Sequence, residues 1–201
     1  MTRRRIAALL AATGALALGS LGCGDDEKTT ASDAAKPGAT AKLTGVNGAG
    51  GTVTFTEAEG GIAVRAEVSG LEPGFHGFHI HETATCDPQA VKEGEQAPFS
   101  SAGAHYTAGS ESHGTHSGDM PPLLAGDDGR ATASFTTQRY KLADVQDGDG
   151  SAVIVHADPD NAANIPQDRY QASGKPGPDA DTLKTGDSGD RVACGLLGPA
   201  K

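Results

Sequence analysis

Residues 74–82 read GFHGFHIHE, three histidines set among Phe75, Phe78 and Ile80. If this segment is a β-strand, side chains two apart share a face, so His79 and His81 project together while Ile80 points the other way. His76 has the opposite parity. Neutral imidazole is the commonest nitrogen ligand for copper and zinc, and an i, i+2 pair on a strand presents two of them at little ordering cost. The stretch reads either as a strand that happens to carry histidine or as one wall of a metal site.

Outward from it, Thr52–Thr56 (TVTFT), Ile62–Val68 (IAVRAEV), Ala131–Thr136 (ATASFT) and Ser151–His156 (SAVIVH) alternate in hydropathy or are rich in β-branched residues. Gly, Pro, Asn or Asp stand near their ends. Lys42–Val46 and Val192–Leu197 extend the set, and Phe75–His81 belongs to it. Tryptophan is absent and glycine occurs 29 times, which suits a loop-rich β protein better than a helical bundle. The pattern predicts an all-β fold, a Greek-key barrel or sandwich of about eight antiparallel strands.

Two stretches resist a strand reading, 82–122 and 157–191. Long loops inside a compact domain are uncommon unless they are functional or fixed by something other than a core. Both begin directly after a strand that ends in histidine. The first also holds His105, His113, His116 and Asp119, and the second opens with HADPDNAANIP from His156. That placement favours the metal reading of the opening stretch.

The net charge of −10 argues against nucleic acid as a partner. At the N-terminus three arginines precede an apolar run and small residues, the layout of an export signal, expected over 1–22. The run is shorter than the roughly 20 residues that span a bilayer. Its ending, Ser20-Leu21-Gly22-Cys23, resembles a bacterial lipoprotein signal, with Leu one position nearer the cysteine than usual. That resemblance implies lipidation of Cys23, a membrane anchor and a place in the cell envelope. Residues 23–41 then read as lipidated cysteine plus flexible tether, and 42–201 as the folded domain.

Export changes the meaning of the other cysteines. Cys86 and Cys194 are an even pair in an oxidising compartment, and a disulfide between them would close a loop of about 100 residues, adding roughly 4–5 kcal/mol in the chain-entropy model. The alternative is two free thiols acting as metal ligands. Neither cysteine has a C-x-x-C neighbour, which favours the disulfide.

Five pieces occur in one order: GFHGFHIHE, SAGAHY at 101–106, HSGD at 116–119, VIVHADPDN at 153–161 and GDRVACGLLG at 189–198. Together they resemble the copper/zinc superoxide dismutase family, specifically its exported bacterial branch. The resemblance implies copper on His79, His81, His105 and His156, and zinc on His105, His113, His116 and Asp119, with His105 bridging the two. Three imidazoles and a carboxylate make a reasonable tetrahedral zinc shell. It further implies that Asp160 links copper-side and zinc-side histidines, and that Arg191 docks the superoxide anion beside copper. His76 would make a structural hydrogen bond, and Phe75, Phe78 and Ile80 would be core.

One departure bears on zinc. His113-Gly-Thr-His116 leaves two residues between ligands where the family usually leaves more, so the loop is shortened where it must wrap the ion. All three ligand types are nevertheless present, and His116 keeps its spacing to Asp119. The implied activity is dismutation of superoxide by redox copper, with His105 as the acid that supplies a proton. Lys175 and Lys184 would either add to a positive funnel or be solvated surface lysines. The competing function is an exported protein that binds or buffers copper without turnover, for which Arg191, Asp160 and the zinc ligands would have no use. Family members occur as dimers and as monomers, so a homodimer is admitted but not required.

Overall fold

The computed structural model describes residues 38–109, 112–165, 171–172 and 174–197. The export signal, Cys23 and most of the expected tether lie outside the described residues. Among the described residues thirteen strands occur in chain order: β1 (Ala39–Gly45), β2 (Gly50–Ala58), β3 (Gly61–Ser69), β4 (Gly74–His76), β5 (Phe78–His81), β6 (Val91–Lys92), β7 (Glu95–Gln96), β8 (Leu123–Ala125), β9 (Ala131–Thr137), β10 (Ser151–His156), β11 (Gln171–Ala172), β12 (Lys175–Pro176) and β13 (Arg191–Leu197). Two single α-helical turns, α1 (Leu142–Val145) and α2 (Thr182–Thr185), and two 3-10 turns, Val46–Gly48 and Ser100–Ala102, are added among the same residues.

Nine strands form one antiparallel sheet in the order β4-β8-β9-β3-β2-β1-β13-β10-β5. Its two edge strands, β4 and β5, are separated in the chain by Gly77 alone, so the sheet curls into a nearly closed barrel. Sequence neighbours β3 and β4 sit three places apart in the sheet, the crossover that marks a Greek key. The expected fold class is therefore present, with nine sheet strands in place of about eight.

Period-two patterning builds the barrel interior. Ala41 and Leu43 of β1, Val53 and Phe55 of β2, and Ile62, Val64, Ala66 and Val68 of β3 are buried in one apolar cluster with Phe78, Ile80, Val153 and Val155. Phe55, Phe78 and Ile80 are completely inaccessible to solvent. β1 opens at Ala39, inside the stretch expected as tether. Its first residues pair with Phe55, Thr54 and Val53, because Ala39 and Ala41 continue the inward alternation of Leu43 with small side chains that sequence reading takes for linker.

The opening stretch is two strands and not one. At Gly77 the ladder breaks: its amide donates to the Asp158 carbonyl, and its carbonyl accepts the His156 amide. A Cβ there would meet Ser188 and His79, so only glycine lets the second long loop approach. Phe78 and Ile80 are core as expected. Phe75 is a correction: it is 51% exposed, because β4 pairs at the sheet's edge with β8 and sets Phe75 opposite the equally exposed Leu124.

All four residues of β5 and all six of β10 are buried, although only alternate residues face the barrel interior. The other face is covered by the long loops. A second apolar cluster of Phe99, Ala102, Ala152, Ile154 and Cys194 pins the first loop there, joined by Cys86. The disulfide Cys86–Cys194 is formed, with Cα atoms 5.6 Å apart, which rules out the free-thiol alternative.

Candidate metal centre

Register places the ligands. Ile154 of β10 stands opposite His79 and Ala152 opposite His81, so both histidines lie on the outer, loop-covered face. His156 has the same parity as Ile154 and shares that face. The first loop delivers His105 through an isolated bridge to His81, and Asp119 through another to His79. β13 contributes Arg191 through a bulge. Val155 pairs with Ala193 but His156 pairs with Arg191, leaving Val192 as the extra residue. Arg191 and Cys194 are three apart and would face opposite sides of a regular strand; the bulge sets both on the outer face.

The described residues form two metal-competent groups that share one member. His79, His81, His105 and His156 offer ligand atoms all within 4.8 Å of one another, and so do His105, His113, His116 and Asp119. The imidazoles of His79 and His105 stack with centroids 4.0 Å apart. All six histidines of the two groups are buried.

The hydrogen bonds behind each ring decide which nitrogen faces the centre. Carbonyl oxygens can only accept, so His81 Nδ1–H donates to Gly103 O at 3.0 Å and His156 Nδ1–H donates to Gly189 O at 3.1 Å. Their Nε2 atoms are then bare lone pairs, facing each other at 3.4 Å. His79 Nε2 donates to Asp160 Oδ2 at 2.6 Å and His113 Nε2 donates to Asp160 Oδ1 at 2.8 Å. The opposite nitrogens, His79 Nδ1 and His113 Nδ1, are buried with no hydrogen-bond partner. Buried acceptors left unpaired are costly, and several converging on one point are tolerable only around a cation. The donor set therefore fits copper at the first group and zinc at the second, and a carboxylate or carbonyl behind each of these rings fixes its tautomer.

Like Asp119, Asp160 is a heavily served acceptor. Besides two imidazoles it accepts the Ala162 amide and the Ser188 hydroxyl, the latter at 3.2 Å. Burial alone would raise its carboxyl, but these donors hold it far below the usual carboxylate range. Burial likewise opposes charge on His113, yet the bond to Asp160 wins and raises that imidazole. Asp119 follows Asp160, its burial outweighed by His105, whose Nδ1 lies 2.9 Å from Oδ1. Burial pushes His105 down to about 4 and lowers His81 and His156 well below the ordinary histidine value, with the charge of Arg191 adding to the effect on His81.

The family model described as copper/zinc superoxide dismutase (SODC) matches residues 49–197. The chain belongs to the copper/zinc superoxide dismutase family. Superoxide dismutases [Cu-Zn] of Mycobacterium tuberculosis and Mycobacterium bovis are each 43% identical to it over 176 residues, covering 83% of this chain and 73% of theirs. That of Deinococcus radiodurans is 35% identical over 73% of this chain and 76% of its own. The solved Cu/Zn superoxide dismutase from Brucella abortus superposes with a TM-score of 0.62 at 31% identity, over 79% of this chain and 97% of that one.

Within this superoxide dismutase fold, every ligand expected from the sequence is brought to the centre, including the three zinc-side residues across the shortened interval. His76 stands apart on the other side, its Nδ1 and Nε2 each 2.8 Å from a backbone carbonyl, those of His156 and Glu72. Lys175 and Lys184 are exposed, on β12 and α2. Sequence reading missed Ser188, Gly103 and Gly189, whose hydroxyl and carbonyls orient Asp160, His81 and His156. Backbone carbonyls carry no residue-type signal, and a serine three positions before Arg191 is unremarkable in a single sequence.

Proposed function

We propose that this chain dismutates superoxide with copper held by His79, His81, His105 and His156 and zinc held by His105, His113, His116 and Asp119. When bound, copper supplies the one-electron couple by which two superoxide anions and two protons become oxygen and hydrogen peroxide. The observation that carries the reading is His105: one imidazole belongs to both ligand groups, in a chain of this family.

Arg191 docks the anion. Its Nη1 donates to Phe99 O at 2.7 Å and its Nη2 to Gly103 O at 2.6 Å, so the fork is fixed before substrate arrives and its remaining N–H groups are free to point at it. Burial lowers the guanidinium only to about 10, leaving the cation intact at neutral pH. A fixed local charge is required because the protein as a whole carries −10. His105 holds the proton that product needs. Its Nδ1 is turned to Asp119 and its ring lies among those of His79, His81 and His156, where copper would be held and a proton on the ring could pass to product.

Direct superoxide decay by pulse radiolysis, on protein loaded with copper alone and with copper plus zinc, tests the activity. Catalytic decay in either state supports it. Merely stoichiometric decay in both would leave a copper-binding protein, a reading that gives Arg191 and Asp160 no task.

Export of the chain, with residues 1–22 as signal, Cys23 as a lipidated anchor and a tether before the barrel, is supported by the Arg-rich apolar N-terminus and by the disulfide. Mass spectrometry of the mature N-terminus checks the lipid. Exposed Phe75 and Leu124 are the apolar pair that a homodimer would cover, which sedimentation checks.

A further inference from the structure

We infer that Arg139 is a positioning residue for zinc, a guanidinium clamp that holds the shortened His113–His116 turn in ligating shape. The inference rests on the reading of His105, His113, His116 and Asp119 as the zinc site.

The turn is folded around a carboxylate. The amides of Gly114 and His116 both donate to Asp119 Oδ2, at 2.7 and 3.0 Å, which leaves Oδ1 for the histidine side. The carbonyls of the same two residues are held from elsewhere. Arg139 Nη1 donates to His116 O at 3.0 Å, and Nη1 and Nη2 both reach Gly114 O at 3.4 Å. One planar fork thus spans the whole interval between the two zinc-side histidines, from a position 23 residues beyond His116.

The base of the clamp is rigid although its guanidinium is exposed. Arg139 lies two residues past the end of β9, its amide donates to Thr137 Oγ1 at 3.2 Å, and Tyr140 and Leu142 just beyond it are buried in the barrel core. A longer loop can wrap an ion with its own backbone contacts. Here only Gly114 and Thr115 separate the ligands, and the outward carbonyls are closed by a side chain anchored on the barrel. Arg139 also lines, together with Asp119 and Asp160, one cavity of about 330 Å³. A lysine would supply a point charge but could not bridge two carbonyls with a fixed fork.

The test is the zinc dissociation constant of the purified full chain, by competition with a chromophoric chelator, for wild type, Arg139→Ala and Arg139→Lys. Removal of an outer partner of a metal ligand typically costs about 10–100-fold in affinity, and that loss is expected for zinc in Arg139→Ala, with Arg139→Lys between it and wild type. Copper affinity, measured in parallel, stays at the wild-type value and shows that the barrel is folded. Unchanged zinc affinity in both variants overturns the clamp, and so does an equal loss of copper and zinc, which would mark Arg139 as a general structural residue. A wild-type chain that binds no zinc overturns the zinc assignment itself, and the clamp with it.

Discussion

Arg191 and His81 are joined through a single atom: the Gly103 carbonyl oxygen accepts Arg191 Nη2 at 2.6 Å and His81 Nδ1 at 3.0 Å. The group proposed to dock the anion and a ring proposed to hold copper are thereby kept in one frame, which the first loop supplies. Arg191→Ala is expected to lower kcat/KM by roughly 10–100-fold, the worth of a charge-assisted hydrogen bond, while copper stays bound. It should also flatten the dependence of the rate on ionic strength, because the local positive field is gone. Pulse radiolysis of the copper-loaded variant across a salt series measures both, and an unaltered rate would remove Arg191 from the mechanism.

Gly186 sits at φ +69°, where a side chain is strained, and a Cβ would meet His113 Nε2 and Asp160 Oδ1. Gly186→Ala should therefore break the bond that orients His113 while sparing the His79–Asp160 contact on the far oxygen. Zinc affinity is expected to fall about 10–100-fold and copper affinity much less. A chelator titration of each metal checks the asymmetry; equal losses would show that Asp160 moves as a whole.

The disulfide closes a loop of 108 residues onto the face that carries Arg191. Replacing Cys86 and Cys194 together by serine should cost about 2–4 kcal/mol of stability. Urea unfolding of the pair variant against the oxidised protein measures this. Loss of turnover is expected at temperatures where the variant is still folded, because Phe99 O and Gly103 O belong to the loop that the bridge secures.

Metal-free protein should be acid-labile in a defined window. Burial holds His81, His105 and His156 below the ordinary histidine value of 6.5, His105 at about 4, so the unfolded chain binds more protons than the native one between those limits. The stability from these neutral rings is complete above pH 6.5 and is lost as pH falls toward 4. His113, raised by Asp160, acts in the opposite sense: its contribution is complete below 6.5 and is lost as pH rises through its raised value. Unfolding midpoints of the apo protein from pH 8 to pH 4 follow both; a flat profile between 6.5 and 4 would contradict the neutral buried rings.

Much of this was legible in the residues and some was not, for definite reasons. His79 and His81 announce themselves because a strand puts i and i+2 on one face, and the histidines and Asp119 of the first loop stand out where no core can explain them. Phe75 misled, since apolar alternation does not say where a sheet ends, and the ladder breaks two residues later at Gly77. Ala39 misled in the other direction, because small residues on a barrel's inner face resemble linker. Arg139 was invisible, as its meaning lies in two carbonyls more than twenty residues away.

The bulge at Val192 has a consequence for anyone who would move this site to another scaffold. A strand counted in twos sends Arg191 inward whenever Cys194 points out, so a graft that copies the residues but straightens the strand would bury a guanidinium among Phe78, Val153 and Val155. The transferable unit is a sequence together with one unpaired residue: Val192 must be kept out of the ladder, because once it is paired every residue before it, Arg191 first, changes face while Ala193 and Cys194 stay where they were.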